Sequence, residues 1–140
     1  MKMKHLTKIS FSVLFIICLN FGASAQSAHP IDMAIDSCVK MRSGTLELIQ
    51  CELEGYENWN AEMEKLYKLL MEELELDAQK VLQQQQESWI KTRDFTFKFQ
   101  DKFYGTRGLQ WAKMMASSKT DIVRKRAIEL QIYLNVIDED

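Results

Sequence analysis

Residues 78–108 read AQKVLQQQQESWIKTRDFTFKFQDKFYGTRG. No Gly or Pro interrupts 78–104, and Ala, Gln, Lys, Leu and Glu dominate its first half, a composition that favours helix. On a helical wheel Val81, Leu82, Trp89, Phe97, Phe99, Phe103 and Tyr104 share one broad sector, with Gln83, Glu87, Lys91, Asp94, Lys98 and Asp101 opposite. Arg93 falls in the middle of the apolar sector. A guanidinium there requires a carboxylate from another helix, and Glu62 and Glu129 are the candidates for a structural ion pair. The run Phe95-Thr96-Phe97-Lys98-Phe99-Gln100 also alternates like a strand. No second strand-like run exists to pair with it, so helix is the expectation throughout.

Upstream, a second long helix is marked by Ile49, Leu53, Tyr56, Trp59, Met63, Leu66, Leu70 and Leu74 at three- and four-residue steps. A tight bend at Asp77, as cap of the helix that follows, turns the two into an antiparallel hairpin and pairs their apolar stripes. Ahead of it, Asp32 or Asp36 caps a short first helix that turns Met33, Ile35, Val39 and Met41 inward. Arg42-Ser43-Gly44-Thr45 forms the turn between the two. The capping box with Thr45 is incomplete, because Leu48 holds its acidic position and Glu47 comes one residue early. Downstream, Gly105-Thr106-Arg107-Gly108 breaks the chain, Leu109 to Ala116 makes a short fourth helix, and Ser117 to Thr120 opens a fifth. In that last helix Val123, Ala127, Leu130, Leu134 and Ile137 face inward. The fold class expected is all-α: an antiparallel helical hairpin or bundle of about five helices, two of them long.

The N-terminus carries an address. Lys2, Lys4 and Lys8 precede a mostly apolar Ile9–Phe21, and Ala23-Ser24-Ala25 offers small residues for cleavage before Gln26. The expected organisation is a signal peptide over 1–25, a flexible leader over 26–31 and one helical domain over 32–140. Ile16 and Ile17 before Cys18 argue against lipid attachment. The compartment is periplasmic or extracellular, with no membrane contact after cleavage. Loss of the three leader lysines leaves 15 basic and 20 acidic residues, net −5. That balance argues against nucleic acid and suits a cationic partner. Cys38 and Cys51 then remain as an even pair in an oxidising compartment. Bridging them closes a loop of about 14 residues, worth roughly 3 kcal/mol on the chain-entropy estimate. Their spacing, with no His nearby, is not that of a zinc site, so no metal is expected.

Several residues in order also carry a resemblance. A Cys pair flanks the first turn. Tyr56, Trp59, Glu62-Met63 and Tyr67 follow, then Gln85, Trp89-Ile90 and Arg93-Asp94, then Gly105-Thr106, and finally Arg126-Ala127-Ile128-Glu129-Leu130. Together they resemble the LprI-type lysozyme-inhibitor domain, a small exported helical family, over nearly the whole mature chain. Members often carry a second Cys pair, and here those places are held by Phe97 and Ser118, so one bridge is expected. The family's usual Asn after Glu-Leu is replaced by Glu64.

The resemblance implies a protein partner, a basic lysozyme-type hydrolase, and no cofactor. The residues agree that no catalysis is encoded: the only mature histidine, His29, lies in the leader, and Ser and Thr nucleophiles lack a base. For external contact the candidate is the Tyr104-Gly105-Thr106-Arg107 turn, with an aromatic ring, a hydroxyl and a cation on one bend. Entering a lysozyme cleft, it would offer Arg107 and Thr106 to the two catalytic carboxylates. The competing reading is an envelope interaction or scaffold module that binds another protein through a helix face.

Overall fold

A computed structural model describes residues 28–139, and the expected signal peptide over 1–25 lies outside the described residues. Four helices follow in order: α1 Pro30–Met41, α2 Thr45–Glu73, α3 Leu76–Tyr104 and α4 Leu109–Asp138. The pairings between them set their directions. Cys38 bonds to Cys51, Ile35 abuts Gly55 and Asp32 accepts from Trp59, so α1 runs antiparallel to α2. Gln86 reaches Met63 and Phe97 packs edge-on to Tyr56, so α3 is antiparallel to α2, as expected. Thr120 donates to the Glu52 carbonyl while Arg124 lies over Trp59, so α2 and α4 run parallel. Among the described helices these two approach each other over the longest stretch.

That approach depends on small side chains. Ala116, Thr120 and Ala127 are buried along α4, and Gly55 is buried on α2, where a Cβ would run into Ile35 of α1. The core forms along this seam from Trp59, Met63, Leu66 and Leu70 of α2 and Val123, Ala127, Leu130 and Leu134 of α4. It follows the inward stripes read from sequence except at the start of α2, where Leu53 is exposed. Helix α3 adds only Leu82 to the fully buried apolar set.

Four local expectations are corrected. The expected fourth and fifth helices are one. The Thr120 hydroxyl lies 3.1 Å from the Ala116 carbonyl and 2.9 Å from that of Glu52, so a polar stretch that read as a helix start is satisfied inside a helix. The bend between α2 and α3 falls at Leu74–Glu75, both extended, rather than at Asp77, which lies in the first turn of α3. There the Gln79 side chain donates to the Leu74 carbonyl at 2.7 Å. Helix α1 begins at Pro30, with His29 as N-cap accepting from the Ile31 N–H, a first-position proline that sacrifices no hydrogen bond. His29 also packs on Trp59 with ring centroids 4.3 Å apart. Consequently Ile31 and Ile35 face inward from α1, while Met33 and Met41 are exposed. At the next helix Gly44 rather than Thr45 is the N-cap, which makes Glu47 the third residue, and its carboxylate accepts the Gly44 N–H at 3.3 Å.

The strand-like phenylalanine run is helical. In a helix its alternation divides the rings: Phe97 is half-buried against the core, whereas Phe95 and Phe99 are exposed. The apolar sector expected to be covered is therefore only partly covered, because Val81, Phe99 and Phe103 also face out. Among the described residues, no helix is long and apolar enough to cross a membrane.

Candidate functional site

The turn between α3 and α4 is built by its glycines. Gly105 continues the helical conformation at φ −59°, ψ −20°, and its N–H donates to the Asp101 carbonyl. A Cβ at Gly105 would meet that same carbonyl oxygen. Gly108, at φ 95° and ψ 176°, adopts a backbone that L side chains rarely reach. Its carbonyl then accepts from Trp111 and Ala112 to start α4.

The side chains fold back over this corner. Tyr104 stacks on Trp111, with centroids 5.8 Å apart, and meets Phe103 edge-on at 5.0 Å. Arg107 donates from Nε to the Phe103 carbonyl at 2.8 Å. Its guanidinium carbon lies 4.5 Å from the centre of the Phe103 ring and 5.7 Å from that of Trp111. Among the described residues no carboxylate pairs with it, and it is exposed. Tyr104, Gly105, Thr106 and Arg107 thus occupy one bend, with Thr106 exposed between the glycines. The bend is a tethered cation on an aromatic shelf rather than a free loop.

The ion pair expected at Arg93 has other partners. Arg93 donates to its neighbour Asp94 from Nε at 2.9 Å and Nη2 at 2.8 Å, lying over the rings of Trp89 and Phe97. Its stem is half-buried and its head emerges to a half-exposed acid, so neither Glu62 nor Glu129 is needed. Glu62 binds Lys65, and Glu129 binds Arg126.

Arg126 is the buried cation that sequence reading missed. It is 2% exposed and donates to Gln86 and Gln85, both at 2.9 Å, and to Glu129 at 2.8 Å. The signal was available: Arg126 sits three residues after Val123 and four before Leu130, inside the inward stripe of α4. Where the family resemblance placed a second cysteine pair, α3 and α4 are joined without covalent bonds. Gln100 donates to Ser118 at 2.8 Å, and Lys119 pairs with Asp101 at 2.7 Å while lying over Phe97.

Two clefts lie beside α1. The larger, about 580 Å³, is lined by His29, Asp32, Trp59, Arg124, Ile128 and Gln131, among others. Its polar groups are engaged with one another: Asp32 accepts from Trp59 at 3.1 Å and from the Arg124 guanidinium at 2.8 Å. The smaller, about 250 Å³, gathers Asp32, Asp36, Glu52 and Asp121 around Arg124. Burial pushes the Glu52 carboxyl above its usual range, against a hydrogen bond from Ser117 and the charge of Lys113. Among the described residues no such group has the arrangement of a metal site.

Charge is unevenly distributed. Helix α2 carries eight glutamates against Lys65 and Lys68. Between Lys91 and Lys119, seven lysines and arginines face two acids, Asp94 and Asp101.

Comparison with known families matches the chain to the model described as "Lysozyme inhibitor LprI" over residues 38–130. Among solved structures, the chain is similar to a crystal structure of an uncharacterized protein from Burkholderia thailandensis, with a TM-score of 0.74 and 29% identity. The match covers 80% of this chain and 57% of that one, so the present chain spans little more than half of that protein's length. Among curated proteins none matches.

Proposed function

The chain belongs to the LprI lysozyme inhibitor family, and from that premise we propose that it is an exported, non-enzymatic inhibitor of a lysozyme-type cell-wall hydrolase. The corner at Tyr104, Gly105, Thr106 and Arg107 is its inhibitory contact. The observation that carries this reading is the state of Arg107: exposed, held to the Phe103 carbonyl and its ring, and without an acid of its own. A cation held in place loses little side-chain freedom on entering a cleft lined by two carboxylates. The glutamates of α2 complement this role, because an acidic flank draws in a basic enzyme while the arginine addresses its acidic cleft. The leader over 1–25 delivers the chain to the compartment where such enzymes act, and the Cys38–Cys51 bridge is compatible with that compartment.

A turbidity assay of lysozyme with the leader-processed protein tests the proposal. Inhibition is expected, with Arg107→Ala weakening it on the order of tenfold or more at unchanged melting temperature. Full inhibition by a folded Arg107→Ala variant would take the corner out of the mechanism. No inhibition by the wild type would leave the competing reading, an envelope interaction module.

A further inference from the structure

Phe95, Phe99 and Phe103 follow one another at four-residue steps on α3 and are 71%, 65% and 43% exposed. They form a ridge about 12 Å long on the face that neither α2 nor α4 covers. Three features define what this ridge accepts. First, Lys91, Lys98 and Lys102, all exposed, line one flank of the ridge, and Arg107 sits at its end. They belong to the cationic stretch of an otherwise acidic chain, so the occupant is anionic. Second, the hydroxyls on the face are already satisfied. Thr92 donates to the Ser88 carbonyl at 3.0 Å and Thr96 to that of Thr92 at 2.9 Å, so covering them strands no donor. Third, cations lie on the rings themselves: Phe99 and Phe103 stack at 5.6 Å, Arg107 lies over Phe103, and the Lys98 ammonium lies 5.4 Å from the centre of the Phe95 ring. The ridge thus presents exposed rings and long cationic side chains together, the pairing that the boundary between acyl chains and phosphates accepts.

We infer that this face of α3 docks on the surface of an anionic phospholipid bilayer, the three phenylalanines entering the headgroup–acyl boundary and the lysines meeting lipid phosphates. Aromatic rings at that depth, with lysine stems reaching back to charged headgroups, are how an amphipathic helix lies on a membrane without crossing it. The ridge is convex, and a bilayer surface deforms to receive it. This departs from the expectation of no membrane contact after leader cleavage. It does not depend on hydrolase inhibition, which is assigned to the neighbouring corner.

Vesicle flotation of the leader-processed protein, its N-terminus verified by mass, tests the inference. Binding is expected to equimolar phosphatidylcholine–phosphatidylglycerol vesicles, weakened by salt, with little binding to phosphatidylcholine alone. Phe95→Ser/Phe99→Ser is expected to lower that binding on the order of tenfold or more, and Lys98→Gln/Lys102→Gln to lower it on anionic vesicles only. Both variants should keep the wild-type melting temperature and lysozyme inhibition. Failure of the wild type to float with anionic vesicles would overturn the inference, as would unchanged flotation of the phenylalanine variant. A dimer that becomes monomeric in Phe95→Ser/Phe99→Ser would assign the ridge to self-association instead. Loss of inhibition without any vesicle binding would assign it to the protein partner.

Discussion

Arg126 donates from Nε to the Gln86 side-chain oxygen at 2.9 Å, and both residues are sealed between α3 and α4. The cation is held by two neutral amides on α3 as well as by Glu129 on its own helix. Because α3 contributes few buried apolar side chains, this polar junction does much to fix its register against α4.

The two inward-pointing arginines should therefore differ. Arg126→Ala is expected to cost roughly 3 kcal/mol, from lost hydrogen bonds to buried amides and the cavity left behind. Arg93→Ala should cost about 1 kcal/mol, since its acid is half-exposed and adjacent in sequence. Urea unfolding measures both, and equal losses or the reverse order would contradict the assignment.

Gly55 is expected to tolerate a methyl group only if α1 makes room. Gly55→Ala drives a Cβ into the end of the Ile35 side chain and should lower stability despite the better helix propensity of Ala. Adding Ile35→Ala to it should cost less than the two single losses combined, by about 1 kcal/mol in a double-mutant cycle. Additivity would show that the two residues do not touch.

Glu52 sets a pH dependence. Its carboxyl is raised above the ordinary 4.5, chiefly by burial, so the folded state binds this proton more tightly than the unfolded chain does. The stability it contributes is complete below 4.5 and is lost as pH rises through the folded value. Glu52→Gln should therefore melt higher than wild type at neutral pH, and the gap should close as pH falls below 4.5. A gap that widens in acid would reverse the sign and reject the account.

The Cys38–Cys51 bridge spans a separation of 13 residues and ties α1 to the start of α2. Replacing both cysteines with serine is expected to cost roughly 3 kcal/mol, read in denaturant without reductant. Helix α1 has no fully buried residue, so His29 and Ile35 should loosen first, with faster amide exchange there than in α2.

Gly108→Ala should cost about 1 kcal/mol, because φ 95° strains any side chain, and should also displace Arg107. Gly108→Ala is thus expected to lose both stability and inhibition, whereas Arg107→Ala loses inhibition alone. A Gly108→Ala variant with wild-type melting and inhibition would show the corner to be pliable.

Much of this was legible in the chain. The period of Trp59, Met63, Leu66 and Leu70, and that of Val123, Ala127, Leu130 and Leu134, named both sides of the core, because a stripe that must be buried repeats at the helical spacing whatever lies opposite. The even cysteine pair named the bridge. Periodicity did not say which cation is sealed in: Arg93 and Arg126 both fall on inward stripes, and only the packing of α3 on α4 buries Arg126 against Gln86 while Arg93 emerges to Asp94. Nor did it say which aromatic face stays open. Phe97 and Phe99 share a sector in sequence, yet α2 and α4 close on each other through Gly55, Thr120 and Ala127 and present α3 with a single surface to cover. A helix of this length carries more apolar rings than one surface can hide, so Phe95, Phe99 and Phe103 are left in water by tertiary packing alone.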